Sequence, residues 1–423
     1  MKIINKKIYI SKIPIEKLTK KYGTPIFVYD EKKVRDNFRR VAKAFQKYYP
    51  KFKLYYAIKV NSNPAIAKIL INEGAGVDAA SINEILLAQK LGLKKEKIIF
   101  SGNYLSDDDL KAAIKSQAII NLDDISLFSK LLKFGQPELI SFRINPGIGK
   151  SNVGEGATTA GPKAKFGIPH EKALNAYKEA KNAGIKNFGA HMMTGSCVLE
   201  PKYFQKITAK LMDIIGEISQ KLKIDFQFID LGGSLGIPYK EDEKELNIDK
   251  TIKLISKTIK EKAKYYKISE PLVCMEPGRY FVGNSGYLIG KVHAIKHSYN
   301  TFYGTDINMN IVPRQILYKA FHKIYVDNKI NQKKFDTLLT GQICEQTDVW
   351  SKDQKLPKLD LNDLILIENC GAYCFGMSYK YNGRLLPAEI LVNKEKSYII
   401  REAEKFEDMI KNTKIPQHLT SLK

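Results

Sequence analysis

From Lys53 to Glu276, short apolar runs of strand length alternate with segments whose apolar residues recur every three or four positions. The runs are Leu54–Val60, Gly76–Ala79, Ile98–Ser101, Ala118–Leu122, Leu139–Ile144, Asn187–Met193, Phe226–Leu231 and Pro271–Glu276. Between the last three, Phe204, Ile207, Leu211, Ile214, Ile218 and Leu222 form one helical stripe, and Ile248, Ile252, Ile255 and Ile259 another. Short strands separated by amphipathic helices predict a parallel sheet, because parallel strands need a crossover to pair. Eight such units fit a closed (β/α)8 barrel better than an open doubly wound sheet, which usually has fewer strands.

Past Arg279 the helical period fades. Runs at Tyr287–Ala294, Leu364–Ile367 and Ala388–Val392 predict strands between turns, hence a second, mainly β part. Pro25–Tyr29, ahead of the barrel, predicts a further strand. The expected division is a barrel over residues 31–280, with residues 1–30 and 281–423 in the mainly β domain. The stretch 147–165 is rich in glycine and small residues, and reads equally as a binding loop or a plain surface loop.

Composition adds exclusions. At 44% hydrophobic and 27% charged residues the chain has the material for an ordinary globular core. No run approaches the roughly 18 apolar residues of a bilayer span, and Met1–Lys20 interleaves lysine with isoleucine, so neither a membrane nor a secretory signal is expected. Cys197, Cys274, Cys344, Cys370 and Cys374 lack metal-ligand spacing, which suggests no metal and a reduced, cytoplasmic setting. The net charge of +24 raises the question of a nucleic-acid partner. Its lysines, however, are spread over nearly every helical segment with no aromatic-interleaved stripe, so no such partner is expected. Arginine is scarce here, and Arg143, Arg279 and Arg314 each fall in a distinctive motif, a hint that the planar bidentate fork is required.

In a barrel, the C-terminal ends of the strands carry the chemistry. Lys59 closes the first run, and the sixth ends in His191-Met192-Met193-Thr194-Gly195-Ser196. Asp230-Leu231-Gly232-Gly233-Ser234-Leu235-Gly236 closes the seventh and Glu276-Pro277-Gly278-Arg279 the eighth. An amine, a glycine turn that lets amides approach an anion, and a carboxylate together describe a cradle for pyridoxal 5′-phosphate. The carboxylate would keep a pyridine nitrogen protonated, because a neighbouring negative charge favours the cationic form. Desolvation and nearby cations are expected to lower the pKa of the Lys59 amine.

These residues resemble the fold-type III pyridoxal-phosphate decarboxylases, specifically the diaminopimelate decarboxylase family, from about Tyr22 to Val392. The motifs that carry the resemblance are YAIKVN at Lys59, GAGVDAASINEI around Asp78, RINP at Arg143, KFG at Lys165, DLGGSLGI and EPGR. Further on come MNIVPRQILY from Met309 to Tyr318, CEQTD from Cys344 and GAY from Gly371. The resemblance implies an alanine-racemase-like architecture and a homodimer with shared active sites. It implies decarboxylation of meso-2,6-diaminopimelate to L-lysine, the last step of lysine biosynthesis. By it, Lys59 is the Schiff-base lysine and Cys344, reaching across the dimer interface, the proton donor. Asp78, His191, Ser196, Gly232, Gly233, Glu276, Gly278, Arg279 and Tyr373 would surround the cofactor. Arg279, Arg314, Tyr318, Glu345 and Tyr373 would surround the substrate, the arginines taking its distal carboxylate and Glu345 its distal ammonium.

Two positions depart from the family pattern. Met193 stands where the family usually places a histidine that stacks on the cofactor, leaving His191 at the outer position of that motif, and Gln346-Thr347 follow Glu345. Alternatives are a decarboxylase of lysine, ornithine or a carboxylated polyamine, an amino-acid racemase, or a non-catalytic pyridoxal-phosphate-binding regulatory protein. Arg314 favours a substrate with a second carboxylate.

Overall fold

The eight apolar runs become eight parallel strands: Phe52–Ala57, Gly76–Ala79, Ile98–Phe100, Ile119–Leu122, Leu139–Asn145, Asn187–His191, Phe226–Asp230 and Leu272–Met275. Each pairs with the next, and the last pairs with the first through Val273–Phe52 and Met275–Leu54, so the sheet closes. The expected (β/α)8 barrel with a second, mixed sheet is thus the fold. The computed structural model describes residues 1–153, 158–351 and 354–420; positions 154–157 of the 147–165 loop lie outside the described residues.

The period of two along each strand divides the side chains. Tyr56, Val77, Ile98, Phe100, Ile120, Phe142 and Phe188 join the main core together with the helical stripe residues Phe204, Ile207, Leu211, Ile252 and Ile255. The intervening residues point toward the barrel axis. Tyr55, Ile99, Phe228 and Cys274 form a small apolar cluster of their own, a floor inside the barrel. Two residues further along those strands stand Ala57, Ser101, Asp230 and Glu276, and the other strands contribute Asp78, Asn121, Arg143 and His191. An apolar floor under a polar layer therefore follows from where polar residues interrupt the runs.

Two run ends differ from the pattern reading by more than one residue. The first strand stops at Ala57, and Ile58–Val60 form a 3-10 turn, so Lys59 sits on a turn just beyond the strand. The sixth strand stops at His191, which leaves Met192 and Met193 in the following loop.

The second sheet has the order Ile324–Val326, Leu364–Ile367, Gly286–His297, Ile26–Asp30, Ala388–Asn393, Lys396–Arg401. Ile26–Asp30 pairs with Gly286–His297 on one side and Ala388–Asn393 on the other, so both ends of the chain are tied into one sheet. Ile8, Ile10, Ile13, Ile15 and Leu18 cover one of its faces. Toward the barrel, the Tyr373 amide donates to the Val60 carbonyl at 2.9 Å and Asn61 Nδ2 donates to the Gly371 carbonyl at 3.3 Å. These bonds bring the 371–373 turn to the barrel mouth beside Lys59. Among the described residues, no helix is long and apolar enough to cross a membrane.

Candidate active site

Lys59 faces a cavity of about 320 Å³ at the C-terminal mouth of the barrel, a size typical of small-molecule sites. Asp78, Arg143, His191 and Glu276 wall it from the strand ends, Met193, Ser196 and Gly233 from the loops, and Gly278, Arg279, Arg314, Tyr318 and Tyr373 from beyond the barrel. Lys59 Nζ donates to Asp78 Oδ2 at 2.6 Å. The lysine side chain is 42% exposed while Asp78 is fully buried; the lysine's open side is the cavity.

The electrostatics correct one expectation. Burial works against the Lys59 ammonium, but Asp78, Glu276 and Tyr373 outweigh it, and the amine pKa is raised rather than lowered. Cations do not dominate this corner of the site; inward carboxylates do. Burial alone would raise Glu276, yet His191, Lys59 and Arg143 hold it below the usual carboxylate range. Its Oε2 lies 3.3 Å from His191 Nε2. Asp230 is pushed well above that range by burial and by the neighbouring Glu276.

The glycine turn is built by backbone geometry. Gly232 has φ +63°, and a Cβ there would meet Met193 Sδ at 2.6 Å; a Cβ on Gly233 would meet the Glu276 carbonyl at 2.7 Å. The Gly232 amide donates to Asp230 Oδ1 at 2.8 Å, whereas the Gly233 amide donates to the thioether of Met193 at 3.2 Å. Sulfur is a weak acceptor, so the Gly233 amide is the one most easily released to a ligand. Met193 is thus packed on the glycine turn and lines the cavity.

Arg279 donates from Nη1 to Tyr239 Oη at 2.7 Å and from Nη2 to Ser196 Oγ at 3.3 Å, with its guanidinium 4.8 Å from the Tyr373 ring centroid. Arg314, 1% exposed, donates from Nη1 to His322 Nε2 at 2.7 Å and to Tyr239 Oη at 3.2 Å. Tyr318 lines the cavity one helical turn after Arg314, on the short helix Pro313–Tyr318. Arg143 stacks on Phe166, 4.5 Å from its ring centroid, and Asp123 lies 3.8 Å away.

Cys344 and Glu345 are not brought to this cavity by their own chain. Both are exposed. The Cys344 amide donates to Asn382 Oδ1 at 2.8 Å, Asn382 Nδ2 lies 3.1 Å from Cys344 Sγ, and Tyr381 Oη donates to Glu345 Oε1 at 3.1 Å. The other residues expected around the cofactor or substrate either line the cavity or, as with Gly232, shape its wall.

Three residues that matter to the geometry were given no role from the sequence. Tyr239 and His322 hold the two arginines, and buried Asp230 anchors the glycine turn. Asp230 had a signal, a carboxylate closing an apolar strand. Tyr239 and His322 sit in aperiodic segments and had none.

Unpartnered buried polar atoms collect here. Among the described residues these include Asp78 Oδ1, His191 Nδ1, Asp230 Oδ2, Glu276 Oε1, Arg279 Nε, and Arg314 Nε and Nη2. Such atoms are rare in a finished interior and mark where a polar ligand completes it. A carboxylate with a free oxygen, a lysine amine and a loosely held glycine amide are the donor and acceptor set that pyridoxal 5′-phosphate needs, so the residues fit that group.

Residues 33–283 match the family described as pyridoxal-dependent decarboxylase, pyridoxal binding domain. Over 404 residues the chain is 38% identical to the diaminopimelate decarboxylase of Methanothermobacter thermautotrophicus, covering 95% of this chain and 94% of that one. The chain belongs to the diaminopimelate decarboxylase family. It is also 37% identical to the Thermoplasma acidophilum diaminopimelate decarboxylase, over 95% of this chain and 96% of that one. The solved diaminopimelate decarboxylase of M. jannaschii in co-complex with L-lysine is 31% identical, with a TM-score of 0.90 over 99% of this chain and 98% of that one. As a member of this family of pyridoxal-dependent enzymes, the chain is an amino-acid decarboxylase that uses pyridoxal 5′-phosphate.

Proposed function

We propose that this protein decarboxylates meso-2,6-diaminopimelate to L-lysine with pyridoxal 5′-phosphate held on Lys59. The observation that carries the substrate is the pair of buried guanidiniums, Arg279 and Arg314, in the wall of the cavity that holds Lys59. A buried arginine left unpaired is costly, so a substrate bringing a second carboxylate is favoured over lysine or ornithine, which lack it. The M. jannaschii relative, crystallised with L-lysine, has a ligand that matches the product of this reaction.

When bound, the cofactor supplies an electron sink for the pair left behind by the departing carbon dioxide. Lys59 is the amine that would carry it, with Asp78 fixing that amine at the centre of the barrel mouth. Glu276, whose pKa His191 lowers, would supply the negative charge that the cofactor's ring nitrogen requires. The Gly232-Gly233 turn, with Ser196, Gly278 and Tyr373, would take the phosphate end. Arg279, Arg314 and Tyr318 orient the distal carboxylate of the substrate. Cys344 Sγ donates a proton to the carbon that has lost carbon dioxide, and Glu345 takes the distal ammonium. Both come from the partner subunit of a homodimer, which accounts for their exposure and their absence from the cavity of their own chain. The same arrangement divides each subunit into a cofactor-binding barrel, residues 31–280, and a mainly β part, residues 1–30 and 281–423, that completes the neighbouring site. A cytoplasmic setting suits a biosynthetic enzyme with five free cysteines.

The test is carbon dioxide release by the cofactor-loaded protein from meso-diaminopimelate, lysine, ornithine and carboxynorspermidine in parallel. Release from diaminopimelate with equimolar lysine supports the reading. Release from another member of the panel alone assigns the site to that substrate, and release from none overturns it.

A further inference from the structure

Among the described residues, Arg314 is buried in a shell that contains no carboxylate. Its Nη1 donates to His322 Nε2 at 2.7 Å and to Tyr239 Oη at 3.2 Å; the Cys374 thiol borders the same guanidinium, and its pKa is lowered by Cys370 first and then by the two arginines. Among the described residues, no carboxylate lies within 4.0 Å of Arg314 or Arg279. The tautomer of His322 is fixed by its other side. Nδ1 lies 2.8 Å from the Glu368 carbonyl, which can only accept, so Nδ1 carries the proton and Nε2 presents a bare lone pair to Arg314. Burial, and then Arg314 itself, pull the His322 pKa down to about 3, so the ring is neutral throughout the physiological range. Tyr239 packs edge-on against His322, 5.3 Å between ring centroids, and its one hydroxyl accepts from both arginines.

A structural arginine this deep would ordinarily be matched with Asp or Glu, since a desolvated charge is stabilised best by an opposite one. Here the two hydrogen-bond acceptors, His322 and Tyr239, are neutral. They fix the guanidinium at Nη1 while Nε and Nη2 stay unpartnered. An acidic residue in place of His322 would hold Arg314 equally well but would cancel the charge that the cavity wall presents.

We infer that His322 and Tyr239 are positioning residues that set substrate specificity: as neutral hydrogen-bond acceptors they orient Arg314 and Arg279 while leaving both positive charges available for the distal carboxylate of the substrate. This rests on the diaminopimelate reading of the same cavity. It extends that reading from the residues that touch the carboxylate to the chemistry that keeps them uncompensated.

The experiment compares the cofactor-loaded wild type with His322→Glu, His322→Gln and Tyr239→Phe. The readouts are KM and kcat for meso-diaminopimelate, together with the affinity for that substrate from the change in cofactor absorbance. H322E should raise KM and the dissociation constant about tenfold or more, because an internal carboxylate competes for Arg314, while kcat changes far less. H322Q, with a neutral acceptor near the former Nε2, should keep both constants within about threefold. Y239F should raise KM about three- to tenfold by loosening both forks.

A purely structural role for His322 would be served at least as well by glutamate, so an unchanged KM in H322E overturns the inference. Equal losses in H322E and H322Q also overturn it, since charge would then not be the variable. If H322E fails to fold, Y239F decides, because it removes one oxygen and adds no charge; an unchanged KM there overturns the inference. Failure of the wild type to act on diaminopimelate would count against the substrate reading itself, a result distinguishable from all of these.

Discussion

Asp78 Oδ2 accepts a hydrogen bond from Lys59 Nζ at 2.6 Å, joining the turn after the first barrel strand to the second strand. The carboxylate is fully buried and the amine opens on the cavity, so the pair holds the lysine where a carbonyl compound can reach it. In the cofactor-free protein that pairing favours the ammonium form.

Replacing Asp78 with asparagine removes the strongest influence raising the Lys59 pKa and leaves burial, which lowers it, against Glu276 and Tyr373 alone. The amine pKa should fall, and labelling of Lys59 by an amine-reactive reagent at pH 8 in the cofactor-free protein should speed up roughly tenfold. Peptide mass mapping reads the rate at this position. Slower labelling in D78N would show that Asp78 activates the amine rather than restraining it.

Asp230 gives a pH-dependent stability prediction. Its folded pKa is raised above the unfolded value, so the ionised carboxylate is a burden at high pH that lightens as pH falls through the folded pKa. Asparagine keeps an oxygen for the Gly232 amide and carries no charge. D230N in the cofactor-free protein should therefore be more stable than wild type at pH 8, by roughly 1–3 kcal/mol, and the gain should shrink toward pH 5. A variant destabilised equally at both pH values would contradict this.

Cys344 lies outside the cavity of its own chain, so Cys344→Ala should lower kcat by about a hundredfold while cofactor loading and Tm stay at wild-type values. Mixing inactive K59A and C344A proteins after subunit exchange should restore about a quarter of wild-type activity, from hybrid dimers with one intact site. No recovery, with exchange confirmed, would place Cys344 away from the shared site.

Met193 touches the glycine turn through its sulfur and has no titratable group. Met193→Leu keeps the volume and loses the weak acceptor, so kcat should stay within about threefold and the cofactor dissociation constant likewise. A hundredfold loss of kcat would give the thioether a role that packing does not supply.

How far the sequence could be read follows from what sets each feature. The barrel was legible because the period of two places Val77, Ile98, Phe142 and Phe188 on the helix side and Asp78, Arg143, His191 and Glu276 on the axis side of continuous apolar runs. The position of Lys59 was legible to within a turn; that it rides a 3-10 turn on which Tyr373, more than 300 residues away in sequence, docks at Val60 is not written in the local pattern. The direction of its pKa shift was misread, because counting cations along the chain does not reveal how many inward carboxylates meet one amine. Tyr239 and His322 were illegible for a similar reason. Their significance lies in which atoms they present to Arg279 and Arg314, and no local pattern encodes that.

The most direct test of the central claim is chemical trapping of the cofactor on the protein. Borohydride reduction of the pyridoxal-phosphate-loaded enzyme, followed by proteolysis and mass analysis, should find the phosphopyridoxyl group on Lys59, with no adduct and no visible cofactor band in K59A. An adduct on a different lysine, or a K59A protein that keeps both the band and carbon dioxide release, would contradict the account.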